Sequence, residues 1–477
     1  MADTRLSDLK PAPLPAVPPI WASIGPGIVW MALAQGSAEL YYWPYFTARY
    51  GAQFLVFLIP ACLLQTPLNI EIGRYTLLTG ESAFAGFARL HRGFGAFLWF
   101  YFAVNFVFLG GWAVMGATAL ADIVAWPAGW NERERTILWA YAITAVFAAA
   151  LLVGRVVYRL IERFMMAVAA FTAAGLFVAC LQPSVLDALP AFLAALVIPP
   201  RPPAPPADPQ ELARFLTLVC YSGLGGFWSL FYSYWIREKG YGMAAYVGHI
   251  TSPLTGKKEL IDFSAYRFED TPENHARYRR WMRTLLVDNG VGLLGNLVTT
   301  MMMALLAFAI LHPAGKVPEG WRVASEQGAF FAVAWGPAGR LLFLVVAGCF
   351  LMDTWLAGVD AVSRVHAEMT CLYAPSARAR GLRFWYYVFL AGAVAVSWIT
   401  IPLREPEAVV TFTGILSLFA VAIFASALWA MNAVLLPRVF PAWTRPHPVQ
   451  RALFAGVILV YATASVYFLA ITLGGSG

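Results

Sequence analysis

Eleven long apolar runs divide the sequence, and they constrain its fold more than any other feature. A helix needs about 20 apolar residues to cross a bilayer, and each run is close to that length or longer. Of the 477 residues, 60% are hydrophobic and only 12% are charged, which is about half the charged share of an ordinary soluble protein. The sequence therefore predicts an all-α polytopic membrane protein. The predicted spans lie near residues 20–48, 53–79, 94–124, 136–153, 159–181, 212–236, 284–311, 329–363, 384–403, 408–437 and 452–474.

The basic residues indicate how these spans are oriented. If the N-terminus lies inside, the inner segments carry 24 of the 33 Lys and Arg residues, as the positive-inside rule requires. We therefore expect a protein of the inner (plasma) membrane, with a cytoplasmic N-terminal tail over residues 1–19. The net charge of +7 follows from this topology. It does not indicate a nucleic-acid partner, because the sequence has no basic stripe interleaved with aromatic residues.

Two of the connecting segments carry local signals of their own. The inner segment 237–283 contains "EDTPENHARYRRWMR", which predicts an interfacial helix. The outer, Pro-rich loop 182–211 contains "PPRPPAPPADPQ", which predicts an extended, polyproline-like strap.

Polar residues and glycines interrupt two of the spans. The first span contains "ALAQGSAELYYWP" (32–44), and a carboxylate such as that of Glu39 costs about 3 kcal/mol at the centre of a membrane helix. The sixth span contains "CYSGLGGFWSLFYSYW" (220–235), where Gly223, Gly225 and Gly226 each cost about 1 kcal/mol relative to alanine. We therefore predict that the first helix is broken near 35–39 and the sixth near 222–228.

The separation of the two interrupted spans predicts the architecture. They are five spans apart, and a repeat of five helices places its second copy upside down. The sequence thus predicts one repeat over 20–181, an inverted repeat over 212–437, and a loop with an eleventh helix over 438–477. Transporters with such inverted repeats bind their substrate near the midplane, where two broken helices meet.

Several motifs also resemble a known family. "GPGIVWMALAQGSAE" (25–39) and "VYRLIERFMM" (157–166) are similar to the first and fifth helices of the Nramp (natural resistance-associated macrophage protein) divalent-metal transporters. "FYSYWIREKGYG", "ITSPLTG" and "LAGVDAVSRVHAE" resemble a divergent, Nramp-related bacterial branch. The resemblance implies the LeuT-type fold, an inverted 5+5 helix repeat with an eleventh transmembrane helix. It also implies uptake of a metal coupled to protons.

The sequence departs from this family at the metal site. The family's first-helix Asp-Pro-Gly-Asn motif falls on Gly36, Ser37, Ala38 and Glu39, so the Asp is missing and Glu39 replaces the Asn. The sixth-helix Met-Pro-His motif falls on residues 226–228, so the thioether that favours soft metals is also missing. The resemblance therefore carries over the scaffold but not the metal ligands.

The candidate site residues come from the two interruptions and from the eighth span. Glu39 either binds a metal, another cation or a proton in a central cavity, or caps a half-helix. Asp353 and Thr354 are candidates for a coupling-ion or proton site, and the alternative for Asp353 is a bond to a neighbouring helix. Trp228 either forms an aromatic wall for an organic substrate or simply packs. The predicted substrate-binding set is Gln35, Gly36, Ser37, Ala38, Glu39, Gly223, Gly225, Gly226 and Trp228.

The sequence favours a transporter over other classes of protein. It contains no Ser–His–Asp set, no HExxH motif and no phosphate-binding loop, so we expect neither enzymatic activity nor a cofactor. The predicted partners are the lipid bilayer and a small solute, a cation in the first instance. Divalent-metal transport by alternating access is the leading hypothesis. Transport of another cation, or of a small amine or amino-acid-like solute, is the alternative, and a channel is a remote third possibility.

Overall fold

The chain folds almost entirely into helices. The structure is a computed structural model that describes residues 9–153, 157–200, 204–251, 254, 261, 264–403 and 405–474. The α-helices are α1 (Ile20–Ser23), α2 (Pro26–Ala34), α3 (Trp43–Tyr50), α4 (Leu58–Leu64), α5 (Thr66–Thr79), α6 (Ala83–Leu90), α7 (Arg92–Phe106), α8 (Gly110–Val124), α9 (Glu132–Val153), α10 (Val157–Cys180), α11 (Pro183–Leu186), α12 (Leu189–Ala195), α13 (Pro209–Tyr221), α14 (Phe231–Lys239), α15 (Pro272–Leu306), α16 (Val323–Gln327), α17 (Ala329–Tyr373), α18 (Leu382–Thr400), α19 (Pro406–Ala430) and α20 (Pro448–Gly474).

Within the described residues, ten helical spans are long and apolar enough to cross a membrane. They correspond to the second through eleventh predicted spans. The first predicted span also forms a helix, over residues 26–50, but it is not among the ten because its middle carries the polar segment that begins at Gln35. The spans are Leu55–Thr79, Arg92–Val124, Glu132–Val153, Tyr158–Cys180, Pro209–Lys239, Pro272–Leu311, Ala329–Tyr373, Leu382–Thr400, Pro406–Arg438 and Pro448–Gly474.

The predicted break in the first helix is not present. A π-helical segment, Gln35–Tyr42, joins α2 directly to α3, and the residues flanking it keep helical backbone angles. A π-helix closes its hydrogen bonds over five residues instead of four, as Trp43 N–H to Ala38 O does here. The helix thus widens around Gly36 and Glu39 instead of unwinding. The prediction was wrong because one glycine next to good helix formers can be absorbed in this way without loss of backbone hydrogen bonds.

The sixth span is interrupted within the predicted range. Helix α13 ends at Tyr221, a 3₁₀ turn covers Gly226–Leu230, and α14 follows directly. Between them, residues 222–225 are non-helical. Gly223 and Gly226 have φ angles of 68° and 62°, which belong to the left-handed region that favours glycine.

Two connecting segments can be compared with their predictions. Helices α11 and α12 lie in the first half of the outer loop, and α13 begins at Pro209. The strap predicted over residues 199–210 is non-helical at residues 199–200 and 204–208. Its residues 201–203, like residues 252–253 and 255–256 of the "ITSPLTG" motif, lie outside the described residues. The predicted interfacial helix is the start of α15, which runs without interruption into the seventh span. Thr271 caps it by accepting a hydrogen bond from Asn274 N–H.

The described part of the N-terminal tail, residues 9–19, packs against the inner segment. Strand β1 (Lys10–Pro11) pairs in parallel with β2 (Tyr266–Arg267), and the Leu14 side chain is fully buried. Leu14 N–H donates to Asn274 Oδ1 at 3.2 Å, and Trp281 Nε1 donates to Pro15 O at 2.9 Å. The tail is thereby held against the first turns of α15.

The apolar core surrounds the first and sixth spans. Helix α2 packs against α10 and α15, α14 packs against α5, and α13 packs against α19. On the other side, the long helix α17 packs against α8 and also touches the π-helical segment. The break in the sixth span is therefore enclosed by the surrounding helices.

Candidate functional site

The break between α13 and the 3₁₀ turn depends on its glycines. A Cβ atom on Gly225 would lie 1.8 Å from Cys220 O, far inside van der Waals contact. A Cβ on Gly223 would lie 3.1 Å from Cys62 O and would be strained at its positive φ. Glycine therefore allows the chain to leave the helical path at this depth.

Side chains from neighbouring helices satisfy the backbone groups at the break. Gly223 N–H donates to Glu39 Oε1 at 2.8 Å. Leu224 O accepts hydrogen bonds from Asn69 Nδ2 at 3.3 Å and from Ser229 Oγ at 3.0 Å. Because buried backbone groups need such partners, these side chains stabilise an otherwise costly interruption.

Glu39 is the acid at the centre of this arrangement. Its side chain is buried, and its Oε1 atom also accepts a hydrogen bond from Asn296 Nδ2 at 2.9 Å. Its Oε2 atom has no hydrogen-bond partner among the described residues. Glu39 thus joins the first, sixth and seventh spans and retains one carboxylate oxygen for a further ligand.

A small cavity lies between the break and the first helix. Its volume is about 10 Å³, which is room for about one water molecule. Thr354 reaches it from α17 and donates a hydrogen bond to Leu33 O at 3.3 Å. The lining residues are Leu33, Ala34, Tyr221, Gly223, Leu224, Gly225, Trp228 and Thr354.

Aromatic rings form one wall of the cavity. The Trp228 ring packs edge-on against Phe106, Trp112 and Phe231, with ring centroids 4.9, 5.4 and 5.5 Å away. Gly358 on α17 makes room for it, since a Cβ there would lie 3.1 Å from the indole ring. Trp228 is therefore held in place beside the cavity and limits its size.

The structure brings together part of the predicted site. Of the predicted residues, Gly223, Gly225, Trp228 and Thr354 line the cavity. Glu39 does not line it, but lies one hydrogen bond behind the Gly223 peptide. Gly226 continues the break into the 3₁₀ turn.

The other predicted residues lie away from the cavity. Gln35 donates a hydrogen bond to Thr299 on α15, and Gly36 and Ala38 are buried in the π-helical segment. The backbone of Ser37 belongs to the same segment, and its side chain lies outside the described part of the chain.

Asp353 is buried on α17 and does not line the cavity. Its Oδ1 accepts a 3.4 Å hydrogen bond from Thr354 Oγ1, and its Oδ2 has no partner among the described residues. Within the part of the chain that the structure describes, no hydrogen bond links Asp353 to Glu39, so the structure gives the two acids no direct connection.

The sequence analysis missed Asn296, Asn69, Gln65 and Tyr221. Asn69 donates a hydrogen bond to the break, and Asn296 donates one to Glu39. Gln65 Nε2 donates to Val219 O at 3.4 Å, and Tyr221 lines the cavity. A signal was present, because Gln65, Asn69 and Asn296 are polar residues inside otherwise apolar spans, as Glu39 is. Their amide groups cost less in the membrane than a carboxylate, so they stand out less.

Polar layers lie on either side of the cavity along the first helix. At one end, Tyr45 donates to Glu211 Oε1 at 2.8 Å, and Arg214 binds both Glu211 and Glu407, which ties the first and sixth spans to α19.

At the other end, Asp288 on α15 accepts the N–H groups of Gly25 and Gly27 at 2.9 and 2.8 Å and the Tyr232 hydroxyl at 2.9 Å. This second layer ties the start of α2 to α14 and α15. The two layers therefore lie before and after the cavity along the first helix.

Among the residues that the structure describes, no three His, Cys, Asp or Glu side chains cluster as a metal site. Any cation at the break would therefore depend on one carboxylate, with hydroxyl and backbone oxygens as further ligands. Hard cations accept such oxygen ligands.

Comparison with solved structures identifies the fold. The structure aligns with the Eremococcus coleocola manganese transporter in complex with an aromatic bis-isothiourea compound, with a TM-score of 0.66, 14% identity, and coverage of 99% of this chain and 92% of that chain. The chain has the fold of the LeuT-type transporters.

Two further solved structures support the same conclusion. Mhp1, a nucleobase-cation-symport-1 family transporter in a closed conformation with bromovinylhydantoin bound, aligns with a TM-score of 0.56 and 12% identity, over 94% of this chain and 92% of that chain. MhsT in complex with L-phenylalanine aligns with a TM-score of 0.54 and 14% identity, over 93% and 98%. No protein-family model and no curated protein matches the sequence. At these identities the likeness establishes the fold, and the ten apolar helices among the described residues support an integral membrane protein.

Proposed function

We propose that this protein is a secondary active transporter that works by alternating access and carries a small cation bound at the break of the sixth span. The observation that carries the proposal is the small cavity beside Gly223 and Gly225, at the break of the sixth span, with a polar layer on either side of it. Such a break at membrane depth is tolerated where it lines a cavity, and in inverted-repeat transporters it forms the substrate site.

The size and chemistry of the cavity favour a small cation. Room for about one water molecule suits a single dehydrated ion better than an organic molecule. Glu39 supplies the negative charge, and its Oε1 atom is hydrogen-bonded to the Gly223 peptide that lines the cavity. Its Oε2 atom, which has no partner among the described residues, can become a ligand after a small movement of the side chain. Thr354 Oγ1 and the carbonyl groups of the break complete a set of oxygen ligands.

The resemblance of the motifs to the Nramp family, together with the aligned manganese transporter, supports a divalent metal as the cargo. The missing thioether and the oxygen-only ligands favour hard ions such as magnesium or manganese over softer metals. In this proposal the protein is a divergent, Nramp-related transporter of the inner membrane with eleven spans and a cytoplasmic N-terminus.

A second candidate is transport of a small organic cation. The aromatic wall formed by Trp228 and its neighbours favours it, because such rings attract an ammonium group. All three aligned transporters were solved with organic molecules bound: an aromatic bis-isothiourea compound, L-phenylalanine and bromovinylhydantoin. This cargo would require Trp228 to move, since the cavity of about 10 Å³ has no room for it.

Uptake into proteoliposomes tests the proposal and separates the two candidates. The purified protein is reconstituted and offered radiolabelled or fluorescent-reporter solutes from two panels, divalent metals and small amines. We expect saturable uptake of magnesium or manganese that competes within the metal panel. Saturable uptake of an amine alone would select the second candidate, and unsaturable flux with single-channel currents would contradict a transporter.

A further inference from the structure

We propose that five arginines at one end of α10 and α15 form a binding site for the phosphate group of an anionic phospholipid. All five side chains are exposed, and within the described residues none of them forms an ion pair. The five are Arg159 and Arg163 on α10 and Arg279, Arg280 and Arg283 on α15.

The acidic residues of the same two helices are engaged elsewhere. On α10, Glu162 pairs with Lys239 at 2.7 Å. On α15, Glu273 pairs with Arg277, and Asp288 is buried against the start of α2. The positive charge of the five arginines is therefore not neutralised by the protein, and it remains available to an anion.

The two groups of arginines lie at the same end of two neighbouring helices. Near one end of the pair, Cys180 Sγ lies 3.8 Å from Met302 O. Near the other end, Gly25 joins the helices, because its N–H binds Asp288 and a Cβ on it would touch Glu162. The helices thus run side by side in the same direction, with the first turn of α10 at about the level of residues 279–283 of α15.

Helical spacing brings two of the arginines towards the shared groove. Arg280 is 22 residues before Met302, about six turns of helix, so it projects from the side of α15 that faces α10. Arg159 is 21 residues before Cys180, also about six turns, and occupies the corresponding side of α10. A phosphate between them can accept hydrogen bonds from both guanidinium groups, which bind phosphate oxygens in pairs.

The surface beyond the arginines is apolar, which selects a lipid over a free anion. The exposed faces of the two helices continue through Phe171 (54% exposed) and Phe177 (58%) on α10, and through Leu286 (48%) and Leu294 (63%) on α15. In an integral membrane protein these faces contact acyl chains. The arginines therefore lie where the apolar surface ends, at the level of the lipid headgroups.

Lipid binding by the purified full-length protein tests this site without any transport measurement, so its outcome is independent of the proposed function. Native mass spectrometry counts bound lipids while phosphatidylglycerol or phosphatidylcholine with identical acyl chains is titrated. We expect phosphatidylglycerol to bind preferentially and to raise the melting temperature. Each arginine near the headgroups contributes about fivefold in affinity, so R159Q/R280Q should weaken binding by about 25-fold.

The matched control is R451Q, which removes an exposed, unpaired arginine from the described start of α20, away from the groove. It should bind phosphatidylglycerol like the wild type. Equal binding of both lipids, or undiminished binding by R159Q/R280Q with an unchanged lipid-free melting temperature, would overturn the site. Equal stabilisation by inorganic phosphate at the same concentration would show a free-anion site instead of a lipid site.

Discussion

The backbone N–H of Gly223 and the carboxylate of Glu39 are 2.8 Å apart, and this hydrogen bond joins the middle of the first helix to the break in the sixth. A buried carboxylate is costly unless it is hydrogen-bonded, and among the described residues Glu39 accepts hydrogen bonds from Gly223 and Asn296. Its free oxygen leaves it open to a cation or a proton. A cation or a proton that neutralises Glu39 therefore also changes the strength of the hydrogen bond from Gly223 N–H, which holds the break in the sixth span.

Glu39→Gln tests the importance of this charge. The substitution preserves the size of the side chain and an acceptor for Gly223 N–H, but removes the charge that attracts a cation. A loss of about 1.4 kcal/mol in cation binding is a tenfold loss of affinity, so removal of the carboxylate charge at the site should lower cation uptake about tenfold or more. Initial uptake rates in proteoliposomes measure this, and melting curves show whether the variant is folded. Glu269→Gln, on an exposed residue of the inner segment, should transport normally.

Gly225→Ala tests the geometry of the break. Its Cβ would lie 1.8 Å from Cys220 O, so the backbone must shift, and we expect a loss of about 1–3 kcal/mol in stability together with loss of uptake. Gly456→Ala is the matched control, because Gly456 lies inside α20 with nothing within 4 Å of a Cβ. That control should gain about 0.5–1 kcal/mol. Equal melting temperatures of the two variants would contradict a tightly folded break.

Trp228→Ala tests whether this ring limits the size of the cargo. Removing the indole enlarges the cavity next to Gly358, so larger cations such as tetramethylammonium should compete for uptake in the variant but not in the wild type. Trp228→Phe keeps most of the ring and should stay close to the wild type in selectivity. Identical competition profiles for all three proteins would mean that Trp228 only packs.

Asp288→Asn tests the polar layer at the start of α2. The carboxylate accepts hydrogen bonds from Gly25, Gly27 and Tyr232, and the neutral amide keeps only one oxygen for them. We expect faster hydrogen exchange over residues 20–34, measured by mass spectrometry, because this end of the first helix is released. Glu273→Gln, an exposed change on the same helix, should leave that exchange unaltered.

The fold was largely predictable because membrane spans are encoded in composition. Ten predicted spans coincide with apolar helices of the structure, and the glycines of the sixth span indicated its break correctly in position. The first helix was harder. Gly36 and Glu39 indicate that the regular α-helix is interrupted. Whether the helix then unwinds or widens depends on which neighbouring groups hydrogen-bond to it, and here these are Asn296 and the break in the sixth span.

The site was only partly predictable for a related reason. Gly223, Gly225 and Trp228 of the sixth span meet Thr354 of the eighth span at one cavity, although the two spans are far apart in sequence. Asp353 precedes Thr354 by one residue, and successive residues on a helix point about 100° apart, so only one of the two reaches the cavity. Sequence spacing predicted that both residues lie near the level of the break, but it could not predict which side of α17 faces the cavity.

The most direct measurement is an anomalous diffraction map of crystals grown with manganese at a concentration that saturates uptake. We expect one peak between Leu33 and Gly225, at about 2.0–2.6 Å from Thr354 Oγ1 or a backbone oxygen of the break, with Glu39 turned towards it. A peak elsewhere in the protein, with this cavity empty while manganese is still transported, would contradict a cargo site at the break of the sixth span.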